Sequence, residues 1–425
     1  MTSPGKVEPR LGAAEMSAIE ALVAPGDART AQLYPGPGPS RQPIHTVYVP
    51  AHVVTSNLTA KWGAEARTTL SRQAATPAAF AAATRQPEDA VERVWSLLAA
   101  KLEAEPIEDL RIDLEDGYGA RGDTAEDADV VAAVTAIAEA ARGGDAPPFW
   151  GIRFKSLEAA TRARGLRTLD LALSSVLSVG PLPAGFVVTL PKVTTLEQVI
   201  GMVEACVRLE TAYELETHRL HFEIQIETAQ AILSADGSAN VARMLHASQG
   251  RCSGLHFGTY DYTAGLGIAA AYQSMEHPAA DHAKAVMALA AAGTRARVSD
   301  GSTNVMPVGD QESVHSAWAL HARLVRRHLE RGFYQGWDLH PAQLPTRYLA
   351  TYLFFRDGLD PVLQRLRAYV GGQEGAVMDE PATAQALAEF VRRGLHCGAV
   401  RLDEVESTAG ISLDVLDALA ARRVG

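Results

Sequence analysis

Cysteine is scarce in this chain, long apolar runs are missing, and positive charge is in the minority. The 3 cysteines, Cys206, Cys252 and Cys397, stand far apart and form no CxxC pair. That spacing argues against a zinc site and a disulfide framework, and it suits a reducing compartment. No run approaches the roughly 20 apolar residues that span a bilayer, and no charged segment followed by an apolar one opens the chain. The expectation is a cytoplasmic protein with no membrane partner. Lys and Arg number 39 against 50 Asp and Glu, a formal net charge of -11. Such a balance repels polyanions, and without a dense basic patch nucleic acid is not expected as a partner. A glycine-rich phosphate loop is lacking too. The first strand-like run, His45-Thr46-Val47-Tyr48-Val49-Pro50-Ala51, contains no glycine, which disfavours a doubly wound nucleotide-binding sheet.

What is present points to a large core. Hydrophobic residues make up 47% of the chain and charged ones 21%, near globular averages. Strand-like runs recur at His45–Val54, Leu110–Leu114, Phe149–Phe154, Gly185–Val193, His221–Ile226, Gly254–Phe257, Arg297–Val308 and Gly336–Leu339. Segments with helical spacing separate them, such as Ala125–Ala141, Thr195–Glu210, Ala280–Ala292 and Glu312–Arg331. Strand and helix in alternation imply parallel pairing, and eight strands are enough to close a (β/α)8 TIM barrel. The sequence divides into an N-terminal extension at 1–44, a TIM-barrel catalytic domain at 45–346, and a C-terminal helical segment at 347–425 suited to a lid or an oligomer contact. The extension begins with a weak helical stretch, Ala13–Val23. A helical insert around Pro87–Glu103 follows the first strand, and a break at Gly371–Pro381 precedes a final pair of helices.

Five polar residues follow successive apolar runs: Arg153, Lys192, Glu227, Asp261 and His340. Barrels deliver their functional side chains to the C-terminal face, so a series of such ends marks where chemistry gathers. Glu227 and Asp261 end neighbouring strands, which would bring their carboxylates together. With no Cys or His at ligand spacing, this is an oxygen-rich site suited to Mg2+ or Mn2+. Arg153 could form a bidentate pair with a substrate carboxylate, or a structural ion pair with Glu115 or Asp116. Alternation along Arg111-Ile112-Asp113-Leu114-Glu115 sends Asp113 and Glu115 to the same side, where they would support or neutralise Arg153. Gly258 permits close backbone approach, and Tyr260 is a candidate for the pocket wall. A divalent ion beside a carboxylate clamp suits aldol or Claisen chemistry through an enolate.

The segments Asp113-Leu114-Glu115-Asp116-Gly117, Gly151-Ile152-Arg153-Phe154, Leu190-Pro191-Lys192-Val193, Glu227-Thr228-Ala229, Phe257-Gly258-Thr259-Tyr260-Asp261, Asp300-Gly301 and His340-Pro341-Ala342-Gln343 occur in that order. In this they resemble the HpcH/HpaI aldolase and citrate lyase beta-subunit family, nearest its citrate lyase-like and malyl-CoA lyase-like branch, over about residues 45 to 400. The resemblance implies a TIM barrel with Mg2+ held at Glu227 and Asp261 and a carboxylate-binding Arg153. Glu115 and Asp116 are further candidates for catalytic groups, and Lys192, Gly258 and Tyr260 for substrate contacts. The activity implied is cleavage or formation of a carbon-carbon bond, on an acyl-CoA of a hydroxy acid such as malyl-CoA or citramalyl-CoA. Met378-Asp379-Glu380-Pro381 is similar to a segment whose aspartate reaches a neighbouring subunit's site as acid or base. Asp379 takes that role by resemblance, which requires a homo-oligomer (dimer, trimer or hexamer); by its residues alone it is equally a helix N-cap. Where a family Gly-Lys precedes the last strand, this chain has Gly336-Trp337, so a basic contact to a CoA tail is missing there.

Two other functions are weighed against the lyase. One is a class II aldolase acting on free 2-oxo acids, for which His52 is the early candidate base. The other is a non-catalytic barrel that binds a metabolite and serves as a regulator or scaffold subunit; for the enzyme readings the expected partner is a small-molecule carboxylate or an acyl-CoA.

Overall fold

The protein is described by a computed structural model over residues 10–36, 38, 40–371 and 380–421. Its eight strands are β1 (His45–Pro50), β2 (Asp109–Asp113), β3 (Phe149–Arg153), β4 (Phe186–Leu190), β5 (Phe222–Ile226), β6 (Cys252–Phe257), β7 (Arg297–Ser299) and β8 (Gly336–Asp338). Every ladder is parallel and the order is β7-β6-β5-β4-β3-β2-β1-β8. A parallel bridge between Ser299 and Gln335 brings the two ends together, helped by Asp300 N–H donating to Gln335 O at 2.9 Å and Trp337 N–H to Gly301 O at 3.1 Å. With helices between the strands, this is the expected (β/α)8 TIM barrel.

Local chemistry sets the helix boundaries. Thr195 and Gln198 form a reciprocal capping box at the start of Leu196–Ala212, and Asp310 caps Gln311–Glu330 through Ser313 N–H. Val, Ile, Leu and Phe side chains from strands and helices share one large core, with a small second cluster at Ala322, Val325, Leu329 and Ala350.

Several elements differ from expectation. β1 stops at Pro50 and a 3-10 turn takes over at Ala51–Val53, because Pro50 has no N–H for the ladder. β7 is only three residues long rather than reaching Val308. Asp300 ends it by accepting from Gly301 N–H and pairing with the buried Lys284. The insert is three helices, Leu58–Gln73, Pro77–Thr84 and Glu88–Ala104. Thr76 followed by Pro77 supplies an N-cap that splits the segment. The insert packs at the barrel's side, where Phe80 meets Trp318 edge-on at 5.2 Å. The first helix runs Ala13–Leu33, through Pro25, and buries no residue. Leu344–Val370 is continuous across the expected 346/347 boundary and buries its first turns. The tail holds three helices rather than two, Pro381–Cys397, Leu402–Ala409 and Leu413–Ala420, because Gly398 and Gly410 take left-handed C-cap conformations. Asp379 lies outside the described residues. Among those described, no helix is long and apolar enough to cross a membrane.

Candidate metal centre

Glu227 directly follows β5 and is almost wholly buried. Its Oε1 accepts the Lys192 N–H at 2.6 Å and its Oε2 accepts Gln225 Nε2 at 2.5 Å. To make the first bond Lys192 adopts φ 50°, the left-handed region that non-glycine residues seldom enter. Gly258 at the end of β6 lies against the same carboxylate. A Cβ there would sit 2.5 Å from Glu227 Cβ and 2.7 Å from its Oε2, so glycine is needed for steric reasons.

Asp261 is placed differently from the strand-end position expected. It lies in the first turn of the short helix Thr259–Gly265, nearly half exposed. Asp116, on the loop after β2, comes in from the other side. Carboxylate oxygens of Asp116, Glu227 and Asp261 all lie within 4.8 Å of one another. The Lys192 ammonium reaches into this group, 3.0 Å from Asp116 Oδ2, in contact with Asp261, and 3.4 Å from Glu115 Oε1. Asp116 thus joins the oxygen set, a place the sequence reading did not assign it. Three carboxylates converging on one point fit a hard divalent cation, and the buried Thr259 hydroxyl beside them has no hydrogen-bond partner among the described residues.

The electrostatics follow from this crowding. Burial pushes the Glu227 carboxyl up to about 8; Lys192 and Arg153 oppose the rise, while Glu115 and Asp261 add to it. Burial also raises Glu115 to about 7, against the pull of Arg153 and with Asp116 reinforcing it.

Arg153 ends β3 and lies within the wall of a 350 Å³ cleft. Its Nε and Nη2 bind both Asp113 oxygens at 2.7 Å each. The side-on edge of the guanidinium is therefore already taken by Asp113, while the expected ion pair with Glu115 is present as a longer contact and none with Asp116 is found among the described residues. Nη1 remains, 3.4 Å from Gln225 Oε1 and 3.6 Å from Glu115 Oε2. The Tyr48 ring sits 4.7 Å beneath the guanidinium carbon, a cation-π contact that holds the plane in place.

The cleft opens at the C-terminal mouth of the barrel and unites Arg153, Asp116, Glu227, Gly258, Tyr260 and Asp261. Lys192, whose ammonium sits among these carboxylates, and Glu115 are not among the residues that line it. Tyr260 is fixed by Asn304 N–H donating to its hydroxyl at 2.7 Å. His340, the fifth polar end, is turned away: its Nδ1 accepts from Ala342 N–H at 3.1 Å and caps the next 3-10 turn. His52 is exposed beside the Tyr118 ring and does not line the cleft. The arginines of 323–331 pair outward with Glu276, Asp281, Glu330 and Asp357, the solvated face expected of them.

Sequence reasoning missed Tyr48, Gln225, Ser302 and Trp337, which also line the cleft. Period-2 alternation could have found one. Glu223, Gln225 and Glu227 share a face of β5, and that face looks into the lumen, where Glu223 Oε2 meets Arg111 Nη2 at 2.7 Å.

Comparison with solved structures gives distant matches. Protein CitE from Mycobacterium tuberculosis in complex with magnesium, acetoacetate and coenzyme A is 19% identical (TM-score 0.47), covering 84% of this chain and 99% of that one. Malate synthase from Haloferax volcanii, native at 3 mM glyoxylate, is 16% identical (TM-score 0.47), covering 91% and 99%. An HpcH/HpaI aldolase/citrate lyase family protein from Burkholderia cenocepacia is 14% identical (TM-score 0.40), covering 80% and 99%. No curated protein matches the chain. A family profile does match, over residues 23–424, and the chain belongs to that family, described as a domain of unknown function (DUF6986).

Proposed function

We infer that this protein is a Mg2+-dependent carbon-carbon lyase, or the reverse condensing enzyme, acting on a hydroxy-acid thioester of the malyl-CoA or citramalyl-CoA type. The observation that carries the reading is the convergence of Asp116, Glu227 and Asp261 to within 4.8 Å in a cleft that also holds the buried Arg153. Glu227 and Asp261, with Asp116 beside them, would hold the cation. When bound, it supplies Lewis acidity to an oxygen that becomes an enolate oxygen.

The chain's own residues would do the rest. Asp113 and Tyr48 fix the Arg153 plane, so its Nη1 can hold a substrate carboxylate in one orientation. Trp337 and Leu339 line the apolar side of the cleft, keeping water from the reacting carbon. Glu115 balances the charge of Arg153 and Lys192. Lys192 keeps the carboxylate group neutral enough to assemble before substrate arrives. Proton transfer is assigned to the Asp379 carboxylate on the strength of the sequence resemblance, and it would act across a homo-oligomer contact.

The test combines purified protein, Mg2+, acetyl-CoA or propionyl-CoA, and glyoxylate or pyruvate, with thioesters followed by mass spectrometry. A malyl- or citramalyl-type thioester should form with metal, and should be absent with Asp261→Asn and without metal. Turnover of free 2-oxo acids with no thioester product would move the protein to the aldolase reading. Silence in both, with cation binding intact, would make it a binding barrel.

A further inference from the structure

A second cavity, of 610 Å³, lies at the opposite end of the barrel. Arg297 opens β7, Gln42 precedes β1, and Phe333 and Tyr334 precede β8, so its floor is the N-terminal face. Helix Pro381–Cys397 closes the side with Arg392 and Arg393. In a chain of net charge -11, four arginines (Arg295, Arg297, Arg392 and Arg393) line this one space, with Glu389 as the only acid among the lining residues.

The pairing of two of these arginines is unusual for this molecule. The buried arginines each grip a carboxylate, Arg111 with Glu223, Arg153 with Asp113, Arg251 with Glu210, Arg347 with Asp338 and, in this cavity, Arg392 with Glu389, all at 2.9 Å or less, whereas the half-buried Arg297 and Arg393 do not. Arg297 has no carboxylate within ion-pair distance among the described residues and donates only to Ser40, at 2.7 and 3.2 Å. Arg393 is 3.9 Å from Glu389 and lies over the Tyr334 ring at 4.2 Å. Arg392 is 7% exposed; its Nη2 donates to Glu389 at 2.7 Å and to Gly38 O at 3.2 Å, its Nη1 is 3.9 Å from Asp417, and its Nε is buried without a hydrogen-bond partner among the described residues. Burial lowers the proton affinity of Arg297 and Arg393; Glu223 opposes this at Arg297, Tyr334 and Glu389 oppose it at Arg393, and neighbouring arginines add to it. Guanidinium charge partly withdrawn from water with no close carboxylate is costly, and a multiply charged anion would relieve it at Arg297 and Arg393.

We propose that this cavity binds a small phosphorylated metabolite, with its phosphoryl oxygens on Arg297, Arg392 and Arg393 and its organic part against Phe333 and Tyr334. Guanidinium forks match phosphoryl oxygens in pairs. The volume exceeds what a bare phosphate needs and falls in the usual range of about 300–1,000 Å³ for small-molecule sites. The site faces away from Glu227 and Asp261, so it would serve a regulatory ligand rather than the substrate.

Isothermal titration calorimetry on the full chain at about 0.15 M salt, where exposed charges are screened, tests this without any activity assay. The probes are inorganic phosphate, AMP and ADP, with citrate as a non-phosphate polyanion. AMP or ADP should bind more tightly than phosphate, and Arg297→Gln and Arg393→Gln should each weaken binding by about 10-fold or more. Arg142→Gln, a surface change, should leave it unaltered. If either glutamine variant misfolds by circular dichroism, the lysine variant at the same position, Arg297→Lys or Arg393→Lys, replaces it; charge is kept and the fork lost, and weaker binding is again expected. Absence of heat with every phosphate probe, undiminished binding in the variants, or binding of citrate alone would overturn the proposal.

Discussion

Asp338→Ala is expected to lower stability by about 3–5 kcal/mol, the scale for removing one partner of a buried ion pair. For a chain of this size that is a fall in Tm of about 3–6 °C. Asp338 ends β8 and is wholly buried. Its Oδ2 accepts from His45 Nδ1 at 2.7 Å on β1, and its Oδ1 accepts from Arg347 Nη2 at 2.9 Å on Leu344–Val370. His321, on the helix before β8, places Nε2 3.1 Å from Oδ1. One carboxylate thus ties the last strand, the first strand and two helices. Burial would raise its pKa, but Arg347, His321 and His45 override burial and hold it well below the usual carboxylate range. Truncation would leave Arg347 buried with no counter-charge. A thermal melt followed by circular dichroism gives the answer, and a Tm within about 2 °C of the native protein would refute the network's role.

The same cluster carries a pH signature. His328 Nδ1 donates to Phe333 O at 2.5 Å, and its Nε2 accepts from Arg347 Nη1 at 2.8 Å. The ring is held neutral, because a second proton would point at a guanidinium donor. Burial first, and Arg347 second, keep its pKa well below 6.5. The unfolded chain takes up that proton more readily, so this contribution is complete above pH 6.5 and is lost as pH falls from there toward the folded-state value. Unfolding free energy measured at pH 7.5 and 5.5 should differ less in His328→Asn than in the native chain, by about 1 kcal/mol. Equal differences would show that His328 is not the titrating group.

Glu227→Gln should lower thioester turnover by about 10^3-fold, the upper range for removing one preorganised electrostatic group at an active site, with little change in Tm. The side chain is nearly isosteric, and both neighbours can adapt: the amide oxygen still accepts the Lys192 N–H, and Gln225 can rotate its own amide. Stability should not suffer, because burial disfavours the Glu227 carboxylate in the absence of a cation. Calorimetry with Mg2+ should show weaker binding in step with the lost turnover. Full activity in the variant would remove Glu227 from the cation site and undo the reading of this cleft.

The alternation of short apolar runs with helical segments was enough to give eight parallel strands and a barrel, since each run can bury two faces only under a layer of helices. The polar residues at run ends likewise disclosed Arg153, Glu227 and Asp261 as neighbours at one mouth, because strand direction fixes which end they occupy. Local sequence could not decide what each polar group touches. Arg153 met Asp113 across the β2–β3 ladder, where register aligns the two residues. Asp116 joined the oxygen set through a loop whose path no period encodes. His340, equivalent to the others by pattern, became a cap because Pro341 starts a turn there. Asp338 sat unnoticed inside an apparently apolar run and proved a central buried ion-pair hub. The arginine cavity was invisible for the same reason: Arg297 and Arg393 are 96 positions apart, and only closure of the barrel against its last helices brings their charges together. Periodicity reports which face a residue occupies; long-range packing alone selects its partners.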